Sequence, residues 1–210
     1  MLSDLHIAQI CNQLYFPSPQ GFWSAEFPHD GGYAALRREP GYDVAVWRGS
    51  VTPIDWLDDF DSLPVLDPVL GWVHQGFRAG VEAVQAQLDK AVTQPLIITG
   101  HSLGAAHAWL HAGLRITSGQ QVSRVVVMGS PRPGFAKLAE LLSRVPSSSY
   151  KNRLDPVTGV PLTTLLFPYQ EPAPFIELNS APPSPDSWGV LADHHVALYL
   201  DGISKLGERS

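Results

Sequence analysis

The sequence predicts an α/β fold, a mostly parallel central sheet with helices on both faces. Three observations predict it. Apolar runs too short for helices alternate with longer stretches of helical period. Only 16% of the 210 residues are charged, against about 25% on average, so extended solvated faces are scarce. A G-x-S-x-G sequence stands between a buried run and an alanine-rich helical stretch, a strand–turn–helix setting.

The elements follow in order. Leu2 to Leu14 places Leu2, Leu5, Ile10 and Leu14 at roughly helical spacing. Tyr42–Trp47 (YDVAVW) is β-branched and aromatic, hence a strand. Trp72–Leu88 reads as a helix with Val73, Phe77, Val81, Val84 and Leu88 on one stripe. Leu96–Thr99 is a buried strand, Leu103–Ile116 a helix, Arg124–Met128 another strand and Phe135–Leu142 a helix. Ser148–Asn152 and Phe175–Leu178 read as strands, and Asp193–Leu200 as the last helix. Eight prolines lie between Pro156 and Pro185, predicting a long excursion with little helix. The whole chain, 1–210, reads as one domain, with 52–72 and 156–187 as loop or cap excursions.

Composition excludes several classes. A net charge of −6 with scattered basic residues leaves no footprint for nucleic acid. The single cysteine, Cys11, permits neither an internal disulfide nor a cysteine zinc site. No apolar run approaches the ~18 residues of a membrane span. The N-terminus resembles no signal peptide. The expected address is therefore the cytoplasm, with secretion by another route or through a trimmed signal left open.

Gly100-His101-Ser102-Leu103-Gly104 is the sharpest local signal. Such a turn holds its serine in a strained conformation, and flanking glycines remove clashes with close neighbours. The following helix N-terminus favours developing negative charge. Serine needs a base, usually a histidine held by a carboxylate. His101 is discounted, because neighbours on an elbow point apart. His107 and His111 are four apart on the helix but lack the H-E-x-x-H pattern, so they read as polar or partly buried positions. In the order Ser, acid, His, His194 and His195 remain as bases. Asp155, just after a strand in Arg153-Leu154-Asp155-Pro156-Val157, is the acid. The backbone N–H of Leu103 would supply one oxyanion donor, and Ser50, in the turn after YDVAVW, the second.

These residues together resemble the class 3 lipases, the fungal-lipase-like branch of the α/β-hydrolase fold, in a bacterial-type variant. Val46-Trp47-Arg48-Gly49-Ser50 resembles the family's oxyanion segment, and Asp55–Phe60 the segment after it. Val73-His74-Gln75-Gly76-Phe77 resembles V-H-x-G-F, in which the histidine is structural. Gly129–Gly134 and Asp155-Pro156-Val157 resemble the loop and acid segments. Asp193-His194-His195-Val196-Ala197-Leu198-Tyr199 is similar to D-H-S-x-x-x-Y, which selects His194 over His195. Trp47 stands where phenylalanine is usual, Ala105 where a second elbow glycine is usual, and the disulfides of secreted fungal members are missing.

The resemblance implies a metal- and cofactor-free serine hydrolase, cleaving carboxylic esters such as acylglycerols through Ser102, His194 and Asp155. Transient contact with a lipid interface is implied as well. Trp56, Phe60, Leu165 and Phe167 are the expected substrate-lining residues. The short interval between Ser50 and His74 predicts a short or absent lid and a preference for short to medium acyl chains. An acyltransferase, an amidase or peptidase, or a non-catalytic module of the same fold stay open on the residues alone.

Overall fold

A computed structural model describes residues 1–29, 32–49, 63–183 and 189–207. Helix α1 (Asp4–Gln13) opens the chain, with the Ser3 hydroxyl accepting the His6 N–H at 3.2 Å as its cap. Strands β1 (Ala25–His29), β2 (Gly32–Glu39) and β3 (Tyr42–Arg48) follow as an antiparallel meander. A hairpin, β4 (Pro64–Asp67) and β5 (Gly71–His74), leads into α2 (Gln75–Ala91). Then come β6 (Leu96–His101), α3 (Leu103–Thr117), β7 (Arg124–Met128), α4 (Ala136–Leu142), β8 (Ser147–Asn152), β9 (Phe175–Leu178) and α5 (Val196–Gly207). The main sheet runs β1-β2-β3-β6-β7-β8-β9, and every pair from β3 onward is parallel.

Period-two alternation sorts the strand residues between two cores. Ala45, Trp47, Leu96, Ile98, Val125 and Val127 pack with α2, α3 and α4. Their neighbours Val44, Val46, Ile97, Val126 and Met128 pack with α1 and α5. Both faces are covered, which is why the central strands are continuous apolar runs. The stripe Phe77, Val81, Val84 and Leu88 is buried as its spacing predicts. Each such side chain stabilises by about 1.5–3 kcal/mol.

Two local expectations need correction, and strands β1 and β2 had no sequence expectation at all. β1 and β2 carry Ala, Leu, Arg and Glu, residues that favour helices, and Pro28 sits on the edge strand where a missing N–H is tolerated. Trp72 and Val73 belong to β5 rather than to the helix, which starts after His74, whose ring caps it by accepting the Phe77 N–H at 3.3 Å. The hairpin turn is set by Asp67, whose Oδ1 accepts the N–H groups of Val69 and Leu70 at 2.8 and 2.9 Å. The final helix begins at Val196 and runs to Gly207, and the residues before it, Gly189–His194, form a 3₁₀ segment.

Among its described residues the proline-rich excursion contains one 3₁₀ turn (Pro156–Gly159) and strand β9. It is pinned to the core by Glu171, whose Oε1 accepts Trp109 Nε1–H at 2.9 Å and the Ser149 hydroxyl at 2.8 Å. Burial outweighs these hydrogen bonds and pushes the Glu171 pKa up to about 8. The carboxyl is thus neutral in the fold at pH 7 but ionised in the unfolded chain above pH about 4.5. Its contribution to stability is full below that value and lost as pH rises through about 8. Glu171→Gln stays neutral, so it should gain on the wild type by at least ~1.4 kcal/mol, tenfold in the unfolding constant, between pH 5 and pH 9. Urea unfolding at both pH values measures this, and a pH-independent difference would contradict it.

Candidate active site

The elbow forms where parallel strand β6 meets α3. Ser102 sits at φ 60°, ψ −134°, a region costly for any residue with a Cβ. The neighbouring glycines explain how the turn closes. A Cβ at Gly100 would collide with the Gly104 backbone, and one at Gly104 with the Trp47 backbone. Ala105, by contrast, fits fully buried. The Ser102 N–H donates to Met128 O at 3.0 Å, tying the elbow to the end of β7.

The acid and the base come from later segments. Asp155 follows β8, its Oδ1 accepting the Val157 N–H at 2.9 Å. Its Oδ2 accepts from His194 Nδ1 at 2.7 Å and also from the Tyr199 hydroxyl. Burial alone would raise the Asp155 pKa, but the hydrogen bond from His194 and the positive charge that ring bears when protonated, with the hydrogen bonds from Tyr199 and Val157, hold it below the ordinary carboxylate range. An ionised Asp155 can only accept, so the neutral form of His194 carries its proton on Nδ1 and presents a lone pair at Nε2. Asn152 anchors the chain beside His194. Its Nδ2 donates to Asp193 O at 3.1 Å and to Ser180 O at 3.0 Å, and its backbone N–H donates to the Tyr199 hydroxyl at 3.2 Å.

Gly129 leaves room for this pair. At φ 58°, a Cβ there would lie 2.9 Å from the His194 ring and 3.0 Å from Asp155 Oδ2. The strand end Met128–Gly129 therefore touches Ser102 on one side and His194 on the other. Ser102 Oγ and His194 Nε2 are both buried and without a hydrogen-bond partner among the described residues. Both atoms are thus left available, and in such sites hydrogen bonds often tighten only with substrate bound. A strained serine, a histidine with a free Nε2 lone pair and an ionised orienting acid constitute a set able to carry out acyl transfer.

A family model, lipase (class 3), matches residues 44–165. The chain belongs to the class 3 lipases. Their α/β-hydrolase fold is the one observed, as the sequence resemblance implies. A secreted mono- and diacylglycerol lipase of Fusarium solani is 29% identical over 164 residues, 72% of this chain and 48% of that protein. The phospholipase A1-IIgamma of Arabidopsis thaliana is 28% identical over 67% of this chain and 44% of its own length. The chain thus spans about half the length of these curated relatives. A crystal structure of mutant MDLA from Penicillium cyclopium superposes with a TM-score of 0.70 at 21% identity, covering 97% of this chain and 87% of that one. The Fusarium relative, named as secreted, does not fit a cytoplasmic default, an expectation that had left secretion open. Among the described residues no helix is long and apolar enough to cross a membrane.

In this class 3 lipase chain, Ser102 stands at the carboxyl end of β6 and Asp155 just beyond that of β8, with β7 between them, and His194 pairs with Asp155. Leu103 is the first residue of α3, where backbone N–H groups lack intrahelical acceptors. Ser50, Trp56 and Phe60 lie outside the described residues. Leu165, expected to line the acyl site, is 99% exposed, and Phe167 is on the surface too. Asp193, next to His194 in the chain, pairs with Arg153 at 3.1 Å. His107 and His111, expected at polar or partly buried positions, are fully buried. His111 lies 2.9 Å from Asp89 and accepts Trp47 Nε1–H at 3.1 Å. Burial pushes the His107 pKa down to about 3 and lowers that of His111. Sequence reasoning missed Asn152 and the role of Tyr199, although Tyr199 ends the D-H-x-x-x-x-Y segment.

Proposed function

We propose that the chain is a carboxylic ester hydrolase acting on acyl esters of glycerol through an acyl-enzyme on Ser102. His194 takes the Ser102 proton as Oγ attacks the ester carbonyl. The backbone N–H of Leu103 and the donors of Ser50 hold the oxyanion. His194 then protonates the leaving alcohol, and water releases the acid by the reverse sequence. The observation that carries this reading is the 2.7 Å pairing of buried His194 Nδ1 with Asp155, together with a serine held at φ 60° in the elbow. The names of the Fusarium and Arabidopsis relatives support the substrate class, since both reactions break an acyl ester of glycerol.

Contact with a lipid surface belongs to the same proposal. Residues 156–170 carry no charge, and Leu162, Leu165 and Leu166 are 74%, 99% and 80% exposed. Thr164 and Phe167 close a tight turn that presents the last two, with Thr164 N–H to Phe167 O at 3.1 Å. These leucines are the lipid-facing tip rather than the lining of the acyl site.

The test is a p-nitrophenyl ester series. Hydrolysis is expected with kcat/KM higher for butyrate than for palmitate, in keeping with a short lid segment. Absence of hydrolysis across the series would overturn the function. A palmitate preference that appears only at an interface would overturn the chain-length preference.

A further inference from the structure

Two residues outside the triad form a directed hydrogen-bond path to the base. Tyr15 stands just beyond the end of α1. Its hydroxyl accepts the Gly49 N–H at 3.0 Å and lies 3.2 Å from His101 Nδ1. On the far side of the same ring, His101 Nε2 lies 2.9 Å from the main-chain oxygen of His194. A carbonyl oxygen only accepts, so Nε2 bears a proton. Burial, reinforced by neighbouring His194, pushes the His101 pKa down to about 3, so the ring holds one proton only. Nδ1 is then a lone pair, and the Tyr15 O–H donates to it at 3.2 Å rather than to the His101 main-chain oxygen, which lies farther off at 3.5 Å. Burial also raises the Tyr15 pKa above its ordinary value, which keeps that proton in place. Each bond in the path therefore has a single sense, from Gly49 through Tyr15 and His101 to His194.

Packing reinforces the path. The His101 ring stacks on that of His194, with centroids 4.6 Å apart and planes at 26°. Tyr15 meets His101 edge-on at 5.8 Å. A Cβ at Gly49 would fall 2.8 Å from the Tyr15 hydroxyl and 2.9 Å from Ser102 Cβ. The path thus starts on the loop that leads to Ser50 and ends on the residue bearing the base.

We propose that Tyr15 and His101 are positioning residues: the Tyr15 hydroxyl fixes His101 as its Nε2–H tautomer, and that proton holds the His194 backbone in register with Ser102 and the oxyanion loop. Neither residue touches reacting atoms. With the other tautomer, a lone pair on Nε2 would face the His194 carbonyl, and the repulsion would move the base. A displacement of about 1 Å at a reacting group costs on the order of 10²-fold in rate. The proposal rests on the reading of His194 as base.

The test is Tyr15→Phe, which keeps the ring and removes only the hydroxyl. Nitrogen-15 spectra of the full chain report each histidine tautomer without substrate. The wild type should show His101 as Nε2–H alone, and Tyr15→Phe a mixture of tautomers. On p-nitrophenyl butyrate kcat should fall on the order of 10–100-fold with KM within about twofold. In a His101→Gln background, where the amide donor has no tautomer to lose, the Tyr15→Phe penalty should largely disappear. An unchanged His101 spectrum, or an equal penalty in both backgrounds, would overturn the proposal. An inert wild type with the tautomer shift intact would instead overturn the ester-hydrolase reading.

Discussion

Ser102→Ala should lower kcat for ester hydrolysis by about 10⁶, the loss expected when the nucleophile of a serine–histidine pair is removed. KM should change little, because the hydroxyl is not a binding group for the acyl chain. Stability should be close to that of the wild type. Alanine keeps the Cβ that makes φ 60° costly, so the strain of the elbow persists. Glycine at the same position would relieve it and should raise the melting temperature while remaining inactive. Steady-state kinetics on p-nitrophenyl butyrate, beside a thermal melt, separate the two effects. Retention of more than about a hundredth of the activity in purified Ser102→Ala would contradict the role assigned to the serine.

The second large effect is expected at Asp155, and there the geometry decides the direction. Asp155 Oδ1 accepts the Val157 N–H, whereas Oδ2 faces His194 Nδ1 and the Tyr199 hydroxyl. In Asp155→Asn the remaining oxygen must stay on Val157, because an amide NH₂ cannot accept there. The NH₂ group then points at His194 and donates to Nδ1, which moves the imidazole proton to Nε2. The base is present but in a form unable to take the Ser102 proton. A fall in kcat of about 10⁴ is expected with the fold intact. Kinetics combined with a histidine nitrogen-15 spectrum check both halves. An asparagine variant with His194 still protonated on Nδ1 would show that the carboxylate does not set the tautomer.

Much of this site was legible because its chemistry is bound to local sequence. The elbow needs glycine where backbones nearly touch, and Gly100 and Gly104 stand against such backbones. Asp155 could be read from its place after a strand, and His194 from the segment ending in Tyr199. The supporting layer was not legible in the same way. Tyr15 is separated from His101 by 86 residues and joins it only because α1 packs beneath β3 and β6. His101 was discounted as the base, and in the structure both of its ring nitrogens are engaged, one by Tyr15 and one by the His194 main chain. However, pointing away from Ser102 is what brings its ring against His194. The strands lost to propensity, β1 and β2, are made of helix-favouring residues that tertiary pairing with β3 overrides. Exposure also defeated composition at Leu165, where an apolar residue in an uncharged turn was read as pocket lining and stands on the surface instead.

The most direct test of the account is covalent labelling by a fluorophosphonate, followed by intact mass and peptide mapping. The account predicts one adduct per chain, located on Ser102, absent from Ser102→Ala and formed far more slowly in Asp155→Asn. No adduct on the folded wild-type chain, or an adduct on another residue that survives in Ser102→Ala, would contradict it.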